Sequence, residues 1–151
     1  MRFHPLLQSF KIPKDEVLGP YRLGVLGPDD VHEDYEAVIE STDRLKGFMG
    51  GTWPEGLTLE DNRTDLCWHL REFDTQRSFA WIVRDSDGSY LGCAYVFPDF
   101  AADSATVSVW MRSSCDPDRH EEAFSALLMT WLEGPAWPAF TYRLISPGRN
   151  G

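Results

Sequence analysis

The residues with the most chemistry in them surround a glycine-rich stretch. Glu36, Glu40 and Asp43 lead through a segment, Ser41 to Gly56, in which Gly47, Gly50, Gly51 and Gly56 are interleaved with Phe48 and Trp53. The acids have the charge to bind a cation, and the rings have the surface to line its pocket. Glu40, Phe48 and Trp53 are therefore the candidate substrate-binding residues. The plainer roles are a solvated helix face for the acids and a hydrophobic latch for the rings. The segment is too long for a plain connector, and loops of that kind commonly carry function. Elsewhere the chemistry is sparse. His4, His32, His69 and His120 lack metal-ligand spacing, and Cys67, Cys93 and Cys115 are widely separated, with no Cys-x-x-Cys pair. Neither a zinc site nor a disulfide framework is expected. No Gly-x-Ser-x-Gly, P-loop or paired-carboxylate arrangement points to a hydrolase or kinase.

The elements that must position these residues are legible from periodicity. Tyr21 to Leu26 reads as a short strand. Gly27-Pro28-Asp29-Asp30 opens a helix, with proline where its missing N–H costs nothing and acids near the positive end of the dipole; Val31, Tyr35, Val38 and Ile39 form its expected buried stripe. Thr58-Leu59-Glu60-Asp61 is a capping box with Asp in the Glu position, starting a helix that ends near Asp74. Strands follow at Phe79–Arg84 and Tyr90–Phe97, joined by the turn Asp85-Ser86-Asp87-Gly88. In the next, Ala105–Arg112, Val107, Val109 and Met111 alternate with Thr106, Ser108 and Trp110. A helix after Asp116-Pro117 carries Phe124, Leu127, Leu128, Trp131 and Leu132 on one stripe, with Glu121, Glu122 and Glu133 expected to face away; Phe140–Ile145 is a last strand. The order β-α-α-β-β-β-α-β is that of a mixed α+β domain with helices on both faces of a central sheet. Residues 1–20 are expected to form an irregular arm, 21–146 one domain and 147–151 a tail.

Composition narrows the function classes. A chain of 151 residues with 42% hydrophobic residues and six tryptophans folds around its own core. The net charge of −10, with 14 scattered basic residues, works against nucleic acid, which needs clustered Lys and Arg. It suits a cationic small molecule or basic peptide, or serves solubility alone. No apolar run approaches a membrane span, and Met1 to Lys14 lacks a secretory pattern, so a cytoplasmic protein with reduced thiols is expected.

The element order over Tyr21 to Ile145, with Tyr21-Arg22-Leu23 before a helix, Phe79-Ala80-Trp81-Ile82-Val83 and Tyr90-Leu91-Gly92-Cys93-Ala94-Tyr95-Val96-Phe97, resembles the GNAT superfamily of N-acetyltransferases. The resemblance implies direct acetyl transfer from acetyl-CoA to a small-molecule or peptide amine. It also implies that the strand ending near Met111 splays from the strand over Phe140–Ile145, leaving a slot for the thioester. The coenzyme's pantetheine arm would lie along the backbone of Val109, Trp110, Met111 and Arg112. Its pyrophosphate would sit on the segment from Ser113 through His120, with Ser113, Ser114, Arg119 and His120 as contacts. This segment has no glycine where the family's loop is rich in it, and Asp116, Asp118, Glu121 and Glu122 bring negative charge. Thr106, Ser108 and Trp110 stand where the family usually has a carboxylate, which leaves Asp99 as the nearest candidate base. The family's further helix and closing strands have no counterpart before Gly151, so no residue is carried over to protonate the leaving thiolate. The reading is thus of a small, divergent member with an altered pyrophosphate loop. The alternative is a non-catalytic domain of the same fold that binds another ligand or a second copy of itself as a homodimer.

Overall fold

Alternation builds the centre of the molecule. On Ser104–Met111 (β5), Val107, Val109 and Met111 enter one apolar cluster and Trp110 the other, because successive side chains leave opposite faces of a strand. The computed structural model describes residues 3–147 and places β5 in a six-stranded sheet. Its other strands are Asp15–Leu18 (β1), Tyr21–Val25 (β2), Phe79–Arg84 (β3), Tyr90–Asp99 (β4) and Thr141–Ile145 (β6). They lie in chain order and pair antiparallel, except β5 and β6, which run parallel. A parallel pair needs a crossover, and the helix Pro117–Leu132 (α4) supplies it. Val31–Glu40 (α1), the single turn Thr42–Leu45 (α2) and Leu59–Asp74 (α3) come between β2 and β3. The domain is mixed α+β, as the element order implies.

The expected irregular arm is corrected at Asp15–Leu18, which forms β1 by pairing with β2 around Gly19, whose φ of +57° suits glycine. Lys14, Asp15 and Glu16 hide this strand from a hydrophobicity pattern because it lies at the sheet edge, where charge discourages further pairing. The rest of the arm is also tied down. Leu7 is buried, and the Trp81 indole donates to the Pro13 carbonyl at 3.0 Å. Residues 1, 2 and 148–151, which belong to the expected arm and tail, lie outside the described residues.

The helix stripes are rotated relative to expectation. On α1 the buried residues are Val31, Asp34, Ala37 and Val38, whereas Ile39 is exposed. On α4, Phe124, Leu128 and Leu132 are fully buried as expected, but Glu121 joins them at 3% exposure instead of facing solvent. Each helix thus places one acid against the sheet. The Thr58–Asp61 capping box forms as read, with Asp61 N–H donating to the Thr58 hydroxyl at 3.1 Å.

Between β3 and β4 the register slips at Leu91, and the next residue, Gly92, lies hard against β5. A Cβ there would stand 1.9 Å from the Trp110 carbonyl oxygen, a backbone atom that cannot step aside. Gly92→Ala should therefore force β4 and β5 apart and cost about 1–3 kcal/mol in guanidinium unfolding. An unchanged midpoint would contradict this packing.

Candidate functional site

β5 outruns its parallel partner. The pairing runs from Ser104 with Thr141 to Ser108 with Ile145, and β5 then continues through Val109, Trp110 and Met111. The Arg112 amide turns toward β4 and donates to the Leu91 carbonyl at 2.7 Å. One residue earlier, the Met111 amide points the opposite way, into the fork beyond the end of β6. It donates there to Glu121 Oε2 at 3.1 Å. A cavity of about 670 Å³ opens beside this point, lined by α4 and the end of β6. The buried hydroxyls of Ser125 and Ser146, both on its wall, have no hydrogen-bond partner among the described residues.

The corner between α1 and α2 clasps the turn that follows β5. The Arg112 guanidinium and the Ser114 amide both donate to the Glu40 carboxylate, the amide at 3.0 Å. The Ser113 amide donates to the Ser41 hydroxyl at 3.0 Å. Arg44 reaches across to both Glu121 oxygens, at 2.7 and 3.1 Å, and to Asp118 at 2.7 Å. The Arg112 hydrogen bond holds the Glu40 carboxyl well below its ordinary range, at about 2. An anion is thus already held here by one guanidinium and one amide, and it is the Glu40 carboxylate at the end of the protein's own α1.

On the opposite face, a second cavity of about 360 Å³ lies between α1, α3 and β4. Trp53, Trp68, His69, Tyr95 and Phe97 wall it, and Asp34 lies at its inner end. Asp34 accepts from the Tyr90 hydroxyl and from Asn62 Nδ2, the latter at 2.8 Å, and burial pushes its pKa up. Burial also pushes the His69 ring down to about 4, so it is neutral near pH 7. Tyr95 pairs across the sheet with Ser108, the last β5 residue joined to β6. The two cavities thus approach the fork from opposite faces.

Of the residues singled out by sequence, Val109, Trp110, Met111, Arg112, Ser113 and Ser114 come together at the fork. Arg119 and His120 do not join them: Arg119 pairs with Asp116 at 2.9 Å, and His120 Nδ1 meets the Tyr21 hydroxyl at 2.8 Å. Trp53 lines the second cavity, whereas Phe48 packs into the core and Glu40 turns to Arg112. Asp99 ends β4, and its carboxylate accepts from the Ala101 amide at 2.8 Å, holding a turn. Sequence reasoning missed Asp34, Arg44, His69 and Glu121. A signal existed for both acids, since Asp34 lies three residues after Val31 and Glu121 three before Phe124, each in register with a buried stripe.

The Glu40 clasp carries a pH signature. Its carboxyl titrates lower in the folded chain than its ordinary 4.5, so its contribution to stability is complete above that value and fades as the pH falls toward about 2. Thermal melts across this window should show a shallower decline for Glu40→Gln than for the unchanged protein. Equal slopes would refute the clasp.

The sequence matches no protein-family model and no curated protein. Solved structures do share the architecture. The ribosomal L7/L12 alpha-N-protein acetyltransferase RimL superposes at a TM-score of 0.64 and 13% identity, over 80% of this chain and 68% of that one. The ribosomal-protein-S5-alanine acetyltransferase from Vibrio fischeri gives 0.63 and 11%, over 79% and 67%. The microcin C7 self-immunity acetyltransferase MccE, solved with acetyl-CoA and AMP, gives 0.68 and 11%, over 90% and 74%. The chain therefore has the fold of the GNAT superfamily of N-acetyltransferases.

Proposed function

We propose that this protein is an acyl-CoA-dependent N-acetyltransferase that takes its thioester donor on the α4 side of the fork and an amine on the other. The observation that carries the reading is the Met111 amide, released from sheet pairing beside a cavity whose wall holds two buried hydroxyls without partners among the described residues. Buried polar groups are normally satisfied, so Ser125 and Ser146 fit a ligand with amide groups, such as a pantetheine arm.

The phosphate end also fits, on the evidence of its stand-in. Glu40 already sits as an anion on Arg112 and the Ser114 amide, and the buried Arg112 Nε–H has no partner among the described residues. A pyrophosphate would use these donors once the Glu40 side chain swings out. When bound, an acyl-CoA supplies an acyl carbon to which an amine nitrogen bonds as the thiolate leaves. The chain's own task is to hold the two reactants close and to exclude water from the fork.

One set of contacts favours a second reading. Glu121 fills the Met111 amide, and Asp118 and Glu122 add negative charge to the donor cavity. A domain that kept the fold and lost the coenzyme would show the same arrangement.

Thermal unfolding with acetyl-CoA separates the readings. At 100 times its Kd the coenzyme should stabilise the fold by about 2.7 kcal/mol, and Arg112→Ala should lose most of that gain. Incubation with acetyl-CoA and mixed amines should release free thiol. No stabilisation at millimolar acetyl-CoA would overturn the transferase reading in favour of the binding domain.

A further inference from the structure

The cavity between α1, α3 and β4 has an imbalance that identifies its ligand. Asp34 lies at its inner end, 3% exposed, and Asp65 lies at its rim, yet no Lys or Arg among the described residues lines it. Asp30 bears on Asp34, and Asp61 and Asp34 bear on Asp65, all of one sign. A buried carboxylate with neutral hydrogen-bond donors and no cation is costly, and a positively charged ligand would relieve that cost.

The walls are aromatic. The Tyr95 and Phe97 rings stack at 5.8 Å and 9°, making one flat side. His69 lies 5.3 Å from Tyr95 and 5.0 Å from Trp68, centroid to centroid. Its ring nitrogens have no hydrogen-bond partner among the described residues, and as a neutral imidazole the ring adds no competing charge. Aromatic faces attract cations by their quadrupole, so walls and floor favour the same charge.

The size and surroundings select a small molecule over a polypeptide. A volume of about 360 Å³ is near the lower end for ligand pockets, enough for one ring and a short arm. The wall strand β4 is paired with β3 and β5 on either side of Tyr95, so it offers no free edge to an extended peptide backbone.

We infer that this pocket binds a small hydrophobic organic cation, an arylalkyl- or alkylammonium, held by Asp34 and Asp65 against the Trp53, Trp68, Tyr95 and Phe97 rings. This names the acceptor class of the proposed transferase and rests on that reading for its catalytic meaning, while the binding itself needs no acyl donor.

The test is therefore calorimetric titration in the absence of acetyl-CoA. Phenethylammonium is the cation, 2-phenylethanol its neutral counterpart, and a tripeptide with a free amino terminus the polypeptide probe. Phenethylammonium should bind at least about tenfold more tightly than either. Asp65→Asn and Trp68→Ala alter exposed residues and should leave the melting temperature unchanged, yet each should weaken phenethylammonium several-fold. Equal binding of the alcohol, tighter binding of the tripeptide, no binding of the ammonium, or full affinity in both variants would each overturn the inference. Because the donor groove is not involved, failure of acetyl-CoA binding leaves this result standing, and failure here leaves the donor groove standing.

Discussion

The structure around the site depends on one backbone constraint: β5 continues where β6 has ended. Beyond Ser108 its inner edge has lost a strand partner, and a buried amide without an acceptor costs free energy. Glu121 meets that need at Met111, but this brings a carboxylate into the interior, which in turn requires a cation. Arg44 supplies it through a two-point contact with both carboxylate oxygens. The α1–α2 corner is thereby fixed to the start of α4, and Glu40 and Ser41 of the same corner meet the amides of Ser114 and Ser113. The clasp follows from the fork.

The same logic governs the other face. Asp34 is drawn onto the sheet by the stripe of α1 and is satisfied by Tyr90 and Asn62, both neutral. At the fork the protein provides its own cations, Arg44 and Arg112. Between α1 and α3 no Lys or Arg among the described residues lines the cavity. Acids line both cavities, but only those beside the fork are met by arginine, and the proposed placement of an anionic donor on one side and a cation on the other rests on that difference.

Much of this was legible in the sequence, for identifiable reasons. The alternation of Val107, Val109 and Met111 and the stripe of Phe124, Leu128 and Leu132 are signals of burial, and burial is what hydrophobic periodicity reports. The strand at Asp15–Leu18 was hidden because it is half exposed and charged, held by pairing with β2. Trp53 was found as a pocket residue, while Phe48, beside the same glycines, went into the core. Glu40 was read as facing a substrate because its partners, Arg112 and Ser114, lie more than 70 positions away. Long-range ion pairs leave no local pattern. Glu121 was expected to face solvent on its charge, and Asp34 went unremarked, although each stands in register with a buried stripe.

The most direct test of the fork is the set of amide resonances that it releases. In a titration of nitrogen-15-labelled protein with acetyl-CoA, the amides of Met111, Ser113 and Ser114 should shift together with one saturating affinity. The paired stretch Ala105 to Val107 should stay in place. Saturation that leaves Met111, Ser113 and Ser114 unmoved, or that instead moves the Ala105 to Val107 stretch, would contradict this expectation.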